Sequence, residues 1–351
     1  MSAAAVLSRE ARSHVAHARC EDFAALLPDG CVNLLWLDPP YFRVVDEAWD
    51  RAWKTEAAYL EWLRAMVREA ARVLAPNGSL YLFASPQMGG RVECIARESL
   101  EVLNHLVWVK RQGWHAKADD EAARVYFPQT ERVIFAEHRS FQSDRIREYL
   151  CAERDRAGLT TRDVAEAFQK KTGSRTVTGM ASHWFDASQW AFPTEENYLW
   201  LRSLFCQNGD PLLAPEHACL RREYEDLRRP FDASLGGPTT DTWTYETVTP
   251  SGSKHPCEKP ADMLRDVVFA SSRPGDVVCE FFGGSFRMAE VALSHGRRYL
   301  GCDADPHWAA VGVERARAAE RGTLAMVPAR PGKAPRSTGQ LSLLDALAGA
   351  R

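Results

Sequence analysis

The chain has 351 residues, enough for one large α/β core with a smaller inserted domain, and 45% of them are hydrophobic, an ordinary fraction for a soluble protein. It carries 44 Lys and Arg against 47 Asp and Glu, a net charge of −3 that is no general attractant for nucleic acid, so a polyanion would have to be met by a local surface. There is no run of about 18 apolar residues and no basic, apolar leader at Met1-Ser2-Ala3-Ala4, and the nine cysteines form no Cys-x-x-Cys pair, so the expectation is a cytoplasmic protein with reduced thiols and no metal.

The first informative strand, Val32-Asn33-Leu34-Leu35-Trp36-Leu37, runs into Asp38-Pro39-Pro40-Tyr41. That tetrapeptide suits a planar base bearing an amino group. An exocyclic amine is a poor nucleophile because its lone pair is delocalised into the ring. The Asp38 carboxylate and the Pro39 carbonyl can each accept one N–H and favour a pyramidal nitrogen whose lone pair faces an electrophilic methyl group. Pro39 and Pro40 fix the backbone and add no donors, while Tyr41, with Phe42, offers a face for stacking. A base inside a duplex presents no such face, so the target would be flipped out. The plainer reading of these four residues is a Pro-terminated strand end.

Downstream, the segments 72–83, Trp108-Val109-Lys110 and Glu131-Arg132-Val133-Ile134-Phe135 read as helix ends or strands of the same sheet. Between them lies the polar stretch 112–119, by default a surface loop. In this position Trp114 and Lys117 could also approach DNA beside the flipped base.

Residues 139–175 hold nine Lys or Arg against six acids, a modest excess that fits a solvated helix face or a DNA surface. Pattern says more: a charged amphipathic helix over 144–157, a capped short helix over 159–168 and a third over 176–184 resemble a phage-repressor helix-turn-helix. Its recognition helix would present Arg175, Thr176, Thr178, Ser182 and His183. A further helix over 197–205 completes a small bundle, with Trp184, Trp190 and Trp200 as core. A bundle that only props the catalytic domain is the competing reading. The stretch 241–254 reads as a long loop.

Gly275-Asp276-Val277-Val278-Cys279 then reads as a buried strand entering Glu280-Phe281-Phe282-Gly283-Gly284-Ser285. A short helix over 288–294 and a second strand, Arg298-Tyr299-Leu300-Gly301-Cys302, follow and end at Asp303. Strand, glycine turn, helix and strand outline a nucleotide site, and an acid at that tip suits a ribose diol, although a lone Asp there is usually a helix cap. From 328 to 337 the chain is a Pro-rich, basic linker. Beyond it, Gln340-Leu341-Ser342-Leu343-Leu344 resembles the peptide by which bacterial replication and repair proteins dock on the sliding clamp. The alternative is a short helix packing back through Leu341, Leu344 and Leu347.

The order of these parts resembles the permuted beta group of DNA amino-methyltransferases, the N6-adenine and N4-cytosine family, which use S-adenosylmethionine. In that group Asp-Pro-Pro-Tyr comes first, target recognition in the middle and the cofactor motifs last. The resemblance covers about residues 15–138 and 250–320. Lys254-His255-Pro256-Cys257-Glu258-Lys259-Pro260 resembles the family segment that closes over the methionine end of the cofactor. The resemblance implies that Asp38, Pro39, Pro40 and Tyr41 grip the target base, that Glu280 sits near the methionine amino group, that Phe282 and Gly284 shape the pocket and that Asp303 binds the ribose. Cys20, Asp38, Lys254, His255, Lys259, Phe281, Gly283 and Ser285 complete the expected cofactor contacts. The sequence departs from the family at Glu280, usually Asp, and at Phe281, usually Pro. It also has Phe286-Arg287 where the family has Gly-Thr, and Arg19 where an acid is common.

The resulting expectation is an α/β, Rossmann-like methyltransferase sheet with helices on both faces plus an inserted helix-turn-helix-like domain. Its parts would be 1–140 (catalytic), 141–232 (target recognition), 233–322 (cofactor) and 323–351 (tail). Asp38 favours adenine N6, because relatives acting on cytosine N4 more often carry serine there. N4 methylation and a DNA-binding regulator that lost activity are the alternatives. Double-stranded DNA is the expected partner, the sliding clamp a second one, and a homodimer is left open.

Overall fold

The computed structural model describes residues 2–44, 47, 49–110, 126, 128–139, 144–175, 179–209, 211–235, 237–248 and 255–322. They fall into two compact units, one of residues 1–139 with 230–351 and one of 140–229.

The first unit is built on one sheet in the order β1-β8-β7-β2-β3-β5-β4-β6. These strands are β1 (Ser13–His17), β2 (Val32–Leu37), β3 (Leu74–Ala84), β4 (Leu100–Lys110), β5 (Thr130–His138), β6 (Thr242–Tyr245), β7 (Val277–Glu280) and β8 (Arg298–Asp303). Every neighbouring pair is parallel except β3–β5 and β5–β4, so β5 alone runs against the others. Between and around the strands lie α1 (Ala3–Leu7), α2 (Cys20–Ala25), α3 (Glu56–Val73) and α4 (Gly89–Ser99).

The central strands carry apolar residues on both faces, as a strand covered on both sides must. On β2, Leu35 and Leu37 enter a core with Phe23, Leu63, Met66, Val92 and Ile95 of α2, α3 and α4. Leu34 and Trp36 point the other way, into a core supplied by the later helices α9 (Ala261–Ser271), α10 (Arg287–Ser294) and α11 (Pro306–Glu320). Helices on both faces were the expectation. The eighth strand was not: Thr242–Tyr245, read from sequence as loop, pairs in parallel with β4 and buries Trp243 and Tyr245. No helix among the described residues is long and apolar enough to cross a membrane.

The second unit contains α5 (Asp144–Arg156), α6 (Thr161–Thr172), α7 (Glu195–Phe205) and α8 (His217–Leu227). Helix α6 begins with a capping box between Thr160 and Asp163 and ends at Gly173 in the left-handed region, φ 70°. Trp184 is buried, and Trp190 and Trp200 pack against its core with Phe168, so all three tryptophans are structural. The expected third helix over 176–184 is corrected: Gly179–Trp184 is a six-residue 3-10 helix. The β-branched run Thr176-Val177-Thr178 and Gly179 disfavour an α-helix there, and residues 176–178 lie outside the described ones. Much of the basic excess is internally paired: Arg154 with Asp155, Arg156 with Glu153, Arg162 with Glu166 and Lys171 with Glu196.

Candidate active site

Strand β2 lies between β7 and β3 and delivers Asp38 from its C-terminal end, the edge where open α/β sheets hold ligands. The loop after it is tightly held. The buried carboxylate of Asp50 accepts the backbone N–H groups of Tyr41 at 2.7 Å and Val44 at 2.5 Å. Tyr59 of α3 donates its hydroxyl to the Pro40 carbonyl at 2.8 Å. Phe42 and Arg43 both sit at φ 62°, and the Phe42 ring stacks on Tyr59 with centroids 5.5 Å apart. Trp53, Trp62 and Phe282 extend this aromatic wall. Among the described residues nothing donates to the Pro39 carbonyl, which is the oxygen the amine chemistry needs free.

Asp38 sits in a buried charge cluster. Its Oδ2 is 2.6 Å from the Lys259 ammonium, and its Oδ1 accepts the Tyr41 hydroxyl at 2.8 Å. Sequence reasoning did not single out the other two members, Glu131 and Lys110. Glu131 Oε1 is 2.5 Å from Lys110 Nζ, while its Oε2 lies 3.3 Å from Lys259 and 2.9 Å from the Tyr41 hydroxyl. Burial pushes Glu131 upward, but the ammoniums of Lys259 and Lys110 hold it below the ordinary carboxylate range. Burial pulls Lys259 down, and the charges of Asp38 and Glu131 more than reverse this, so it is a firm cation. A signal for Glu131 did exist: it shares a face of β5 with buried Val133 and Phe135, and an acid at such a position needs a partner.

At the end of β7, Glu280 is 3% exposed and accepts the hydroxyl of Tyr299. That hydroxyl requires Gly301, where a Cβ would lie 2.2 Å from it. Burial drives the Glu280 carboxyl well above its ordinary range; Tyr299 opposes this, and the charges of Asp303 and Asp38 add to it. The turn that follows is shaped by glycines. Gly283 donates to the Cys302 carbonyl at 2.9 Å, and Gly284, at φ 47°, donates to Asp303 Oδ2 at 2.7 Å. A Cβ on Gly284 would come 3.2 Å from the His255 imidazole, which lies between Trp49 and Trp308. Burial lowers the His255 pKa, and its Nδ1 accepts the Cys257 N–H at 3.3 Å, which leaves the ring neutral.

The structure thus gathers Asp38, Tyr41, Lys259 and His255 with Glu280, Gly284 and Asp303. The Phe281 side chain lies in the core, buried edge-on against Phe23. Cys20 is buried, its thiol 3.3 Å from Glu21, which also accepts from Trp62 and Arg19. Ser285 is buried behind the turn. In the second unit Arg175 is exposed, whereas Ser182 spends its hydroxyl on the Gly179 carbonyl and, like His183, is half-buried. Lys254, Trp114, Lys117, Thr176, Thr178 and 340–344 lie outside the described residues.

The donor set fits S-adenosylmethionine. Burial and the charges of Asp303 and Asp38 raise the cost of ionising Glu280, and a ligand with a sulfonium and an ammonium offsets it. Asp303 is half-buried, and its second oxygen accepts the backbone N–H of Asp305 at 2.8 Å.

A mostly parallel sheet with β5 reversed, a glycine turn after β7 and acids at two adjoining strand ends define a Rossmann-like methyltransferase. The DNA methylase family of N6 and N4 methyltransferases matches residues 32–314, and the chain belongs to that S-adenosylmethionine-dependent family. It is 24% identical over 294 residues to the DNA adenine methyltransferase YhdJ of Escherichia coli K12, covering 82% of this chain and 77% of that one. It is 21% identical over 314 residues to the type II methyltransferase M2.DpnII of Streptococcus pneumoniae, covering 85% and 87%. In fold it is similar to the cytosine-N4-specific PvuII DNA methyltransferase, with TM-score 0.50, 12% identity and coverage of 87% of this chain and 86% of that one.

Proposed function

We propose that this DNA methyltransferase acts on the N6 amine of an adenine flipped out of double-stranded DNA. The observation that carries the reading is Asp38 at the end of β2 beside a Pro39 carbonyl that no described residue engages, a paired acceptor for two amine N–H groups. S-adenosylmethionine, when bound, supplies the methyl group. Asp38 and the Pro39 carbonyl orient the amine, Tyr41 faces the base, Asp303 holds the ribose and Glu280 faces the amino end of the cofactor. Asp38 at this position and the similarity to a DNA adenine methyltransferase support adenine over cytosine. The test is expression in a methylation-deficient bacterium with base modifications mapped by single-molecule sequencing, using Asp38→Ala as control. N6-methyladenine in a defined motif supports the reading, N4-methylcytosine replaces the base, and no modification by soluble protein that binds DNA favours a regulator.

The unit 140–229 is proposed as the target-recognition domain, supported by its place in chain order between the catalytic and cofactor segments. Docking of Gln340-Leu341-Ser342-Leu343-Leu344 on a sliding clamp rests on sequence alone; a tail peptide that fails to bind purified clamp ends it. Light scattering of the pure protein decides between monomer and homodimer.

Two binding outcomes follow from the cofactor half. Asp303→Ala is expected to weaken cofactor binding about 10- to 100-fold in calorimetry, since a charge-assisted bond and the anchor of the Gly284 turn are both lost. Glu280 holds its proton above the ordinary carboxylate range in the free protein, and an adjoining cation favours the ionised form. Binding should therefore release protons, and affinity should rise with pH by up to about tenfold per unit until Glu280 ionises unaided. Calorimetry in two buffers of different ionisation enthalpy measures the release; none from wild type, or an equal release from Glu280→Gln, contradicts it.

A further inference from the structure

Both oxygens of Asp38 are engaged in this structure, one by Lys259 and one by Tyr41, yet the reading above requires one of them for the amine. The geometry shows where the displaced partner would go. Lys259 Nζ lies 2.6 Å from Asp38 and 3.3 Å from Glu131, with the Phe83 ring 4.8 Å away on the same ammonium. Side-chain exposures of 8% for Lys259 and 10% for Glu131 make this a buried exchange, in which an ammonium leaving one carboxylate needs another at hand. Lys110 holds the far oxygen of Glu131, which leaves Oε2, beside the Tyr41 hydroxyl at 2.9 Å, facing Lys259 at 3.3 Å. Two carboxylates and two ammoniums balance before the exchange and after it.

We propose that Lys259 is a movable counter-ion, resting on Asp38 and passing to Glu131 when the target amine takes Asp38 Oδ2. Lys259 and Glu131 are then positioning residues for the methyl transfer, and the proposal rests on the methyltransferase reading given above. The need is electrostatic. As the methyl–sulfur bond breaks and the methyl–nitrogen bond forms, the amine becomes cationic until it gives a proton to water. An ammonium left on Asp38 would oppose that charge, whereas one drawn to Glu131 leaves the Asp38 carboxylate facing it. Lys259 keeps its own protons throughout.

The test uses the full chain, S-adenosylmethionine and a duplex containing the mapped target. Single-turnover methylation is read separately from the Kd of cofactor and of DNA. Glu131→Gln strands Lys259 on Asp38 and is expected to slow the single-turnover rate on the order of 10²-fold while both Kd values stay within about threefold. Lys259→Met added to Glu131→Gln removes the stranded cation and is expected to recover at least about tenfold of the lost rate, a rescue that a packing role for Glu131 would not give. If Glu131→Gln does not fold, Glu131→Asp replaces it: the carboxylate retracts from Lys259, and a slowed rate with unchanged Kd is again required. An unchanged rate in either variant, no rescue in the double variant, or a rate loss matched by weakened binding overturns the counter-ion role. Wild-type protein that methylates no DNA ends the underlying reading instead.

Discussion

Asp38→Ala is expected to lower single-turnover methylation by about 10³-fold or more, the scale seen when a preorganised polar group at a reacting centre is removed. Cofactor affinity should change only a few-fold, because Glu280 and Asp303, proposed for the amino end and the ribose of the cofactor, sit on β7 and β8 and remain in place. The variant should also remain folded. Lys259 loses one anion but keeps Glu131 at 3.3 Å, and the loop is still fixed by Asp50 and by the Tyr59 bond to Pro40. Circular dichroism, calorimetry and a quenched single-turnover assay on one preparation separate these outcomes. Full activity in Asp38→Ala would refute the mechanism.

The second large effect is on stability and concerns Phe286, which stands where the family usually has glycine. Its side chain is fully buried and its φ is 53°, a conformation costly for any residue with a Cβ. The ring fills the space over two glycines: a Cβ on Gly283 would lie 2.2 Å from it and one on Gly312 2.5 Å. Phe286→Ala should therefore destabilise the first unit by about 3–5 kcal/mol through the cavity it leaves. Alanine relieves none of the backbone strain. Phe286→Gly does, so it should be the more stable of the two by about 1 kcal/mol despite losing more side chain. Denaturant unfolding ranks the three proteins, and alanine above glycine would show that φ imposes no strain at this position.

What the sequence revealed and what it hid divide along the range of the interactions. Asp38-Pro39-Pro40-Tyr41 and the strand–turn–strand ending at Asp303 were legible because each is a continuous segment whose chemistry is local. Lys259 was visible only as part of a family-like segment; its partner Asp38 is 221 residues away, and no periodicity reports such a pair. Glu131 and Tyr59 support the Asp38 loop from other elements, Asp50 from further along the same connection, and none of the three carries a motif. Strand β6 was missed because four residues form a strand only when an edge such as β4 is there to pair with, although Trp243 and Tyr245 already alternated with two threonines. The Gly179–Trp184 segment was read as a longer α-helix from spacing alone, and spacing does not distinguish one 3-10 turn from an α-helical start.

The strand order also has a consequence for synthesis. Strand β2 is flanked by β3, made soon after it, and by β7, made more than two hundred residues later; β1 pairs with β8, later still. At ordinary elongation rates the interval between residues 139 and 280 leaving the ribosome is roughly seven to thirty seconds. Through that time Leu34, Leu35 and Trp36 sit on a strand with one open hydrogen-bonding edge, a surface that invites chaperones or wrong partners. The loop carrying Asp38 is among the first parts translated, yet β7 beside it is completed late, so a nascent chain interrupted before β7 carries Asp38 without its neighbours Lys259 and Glu280 in place.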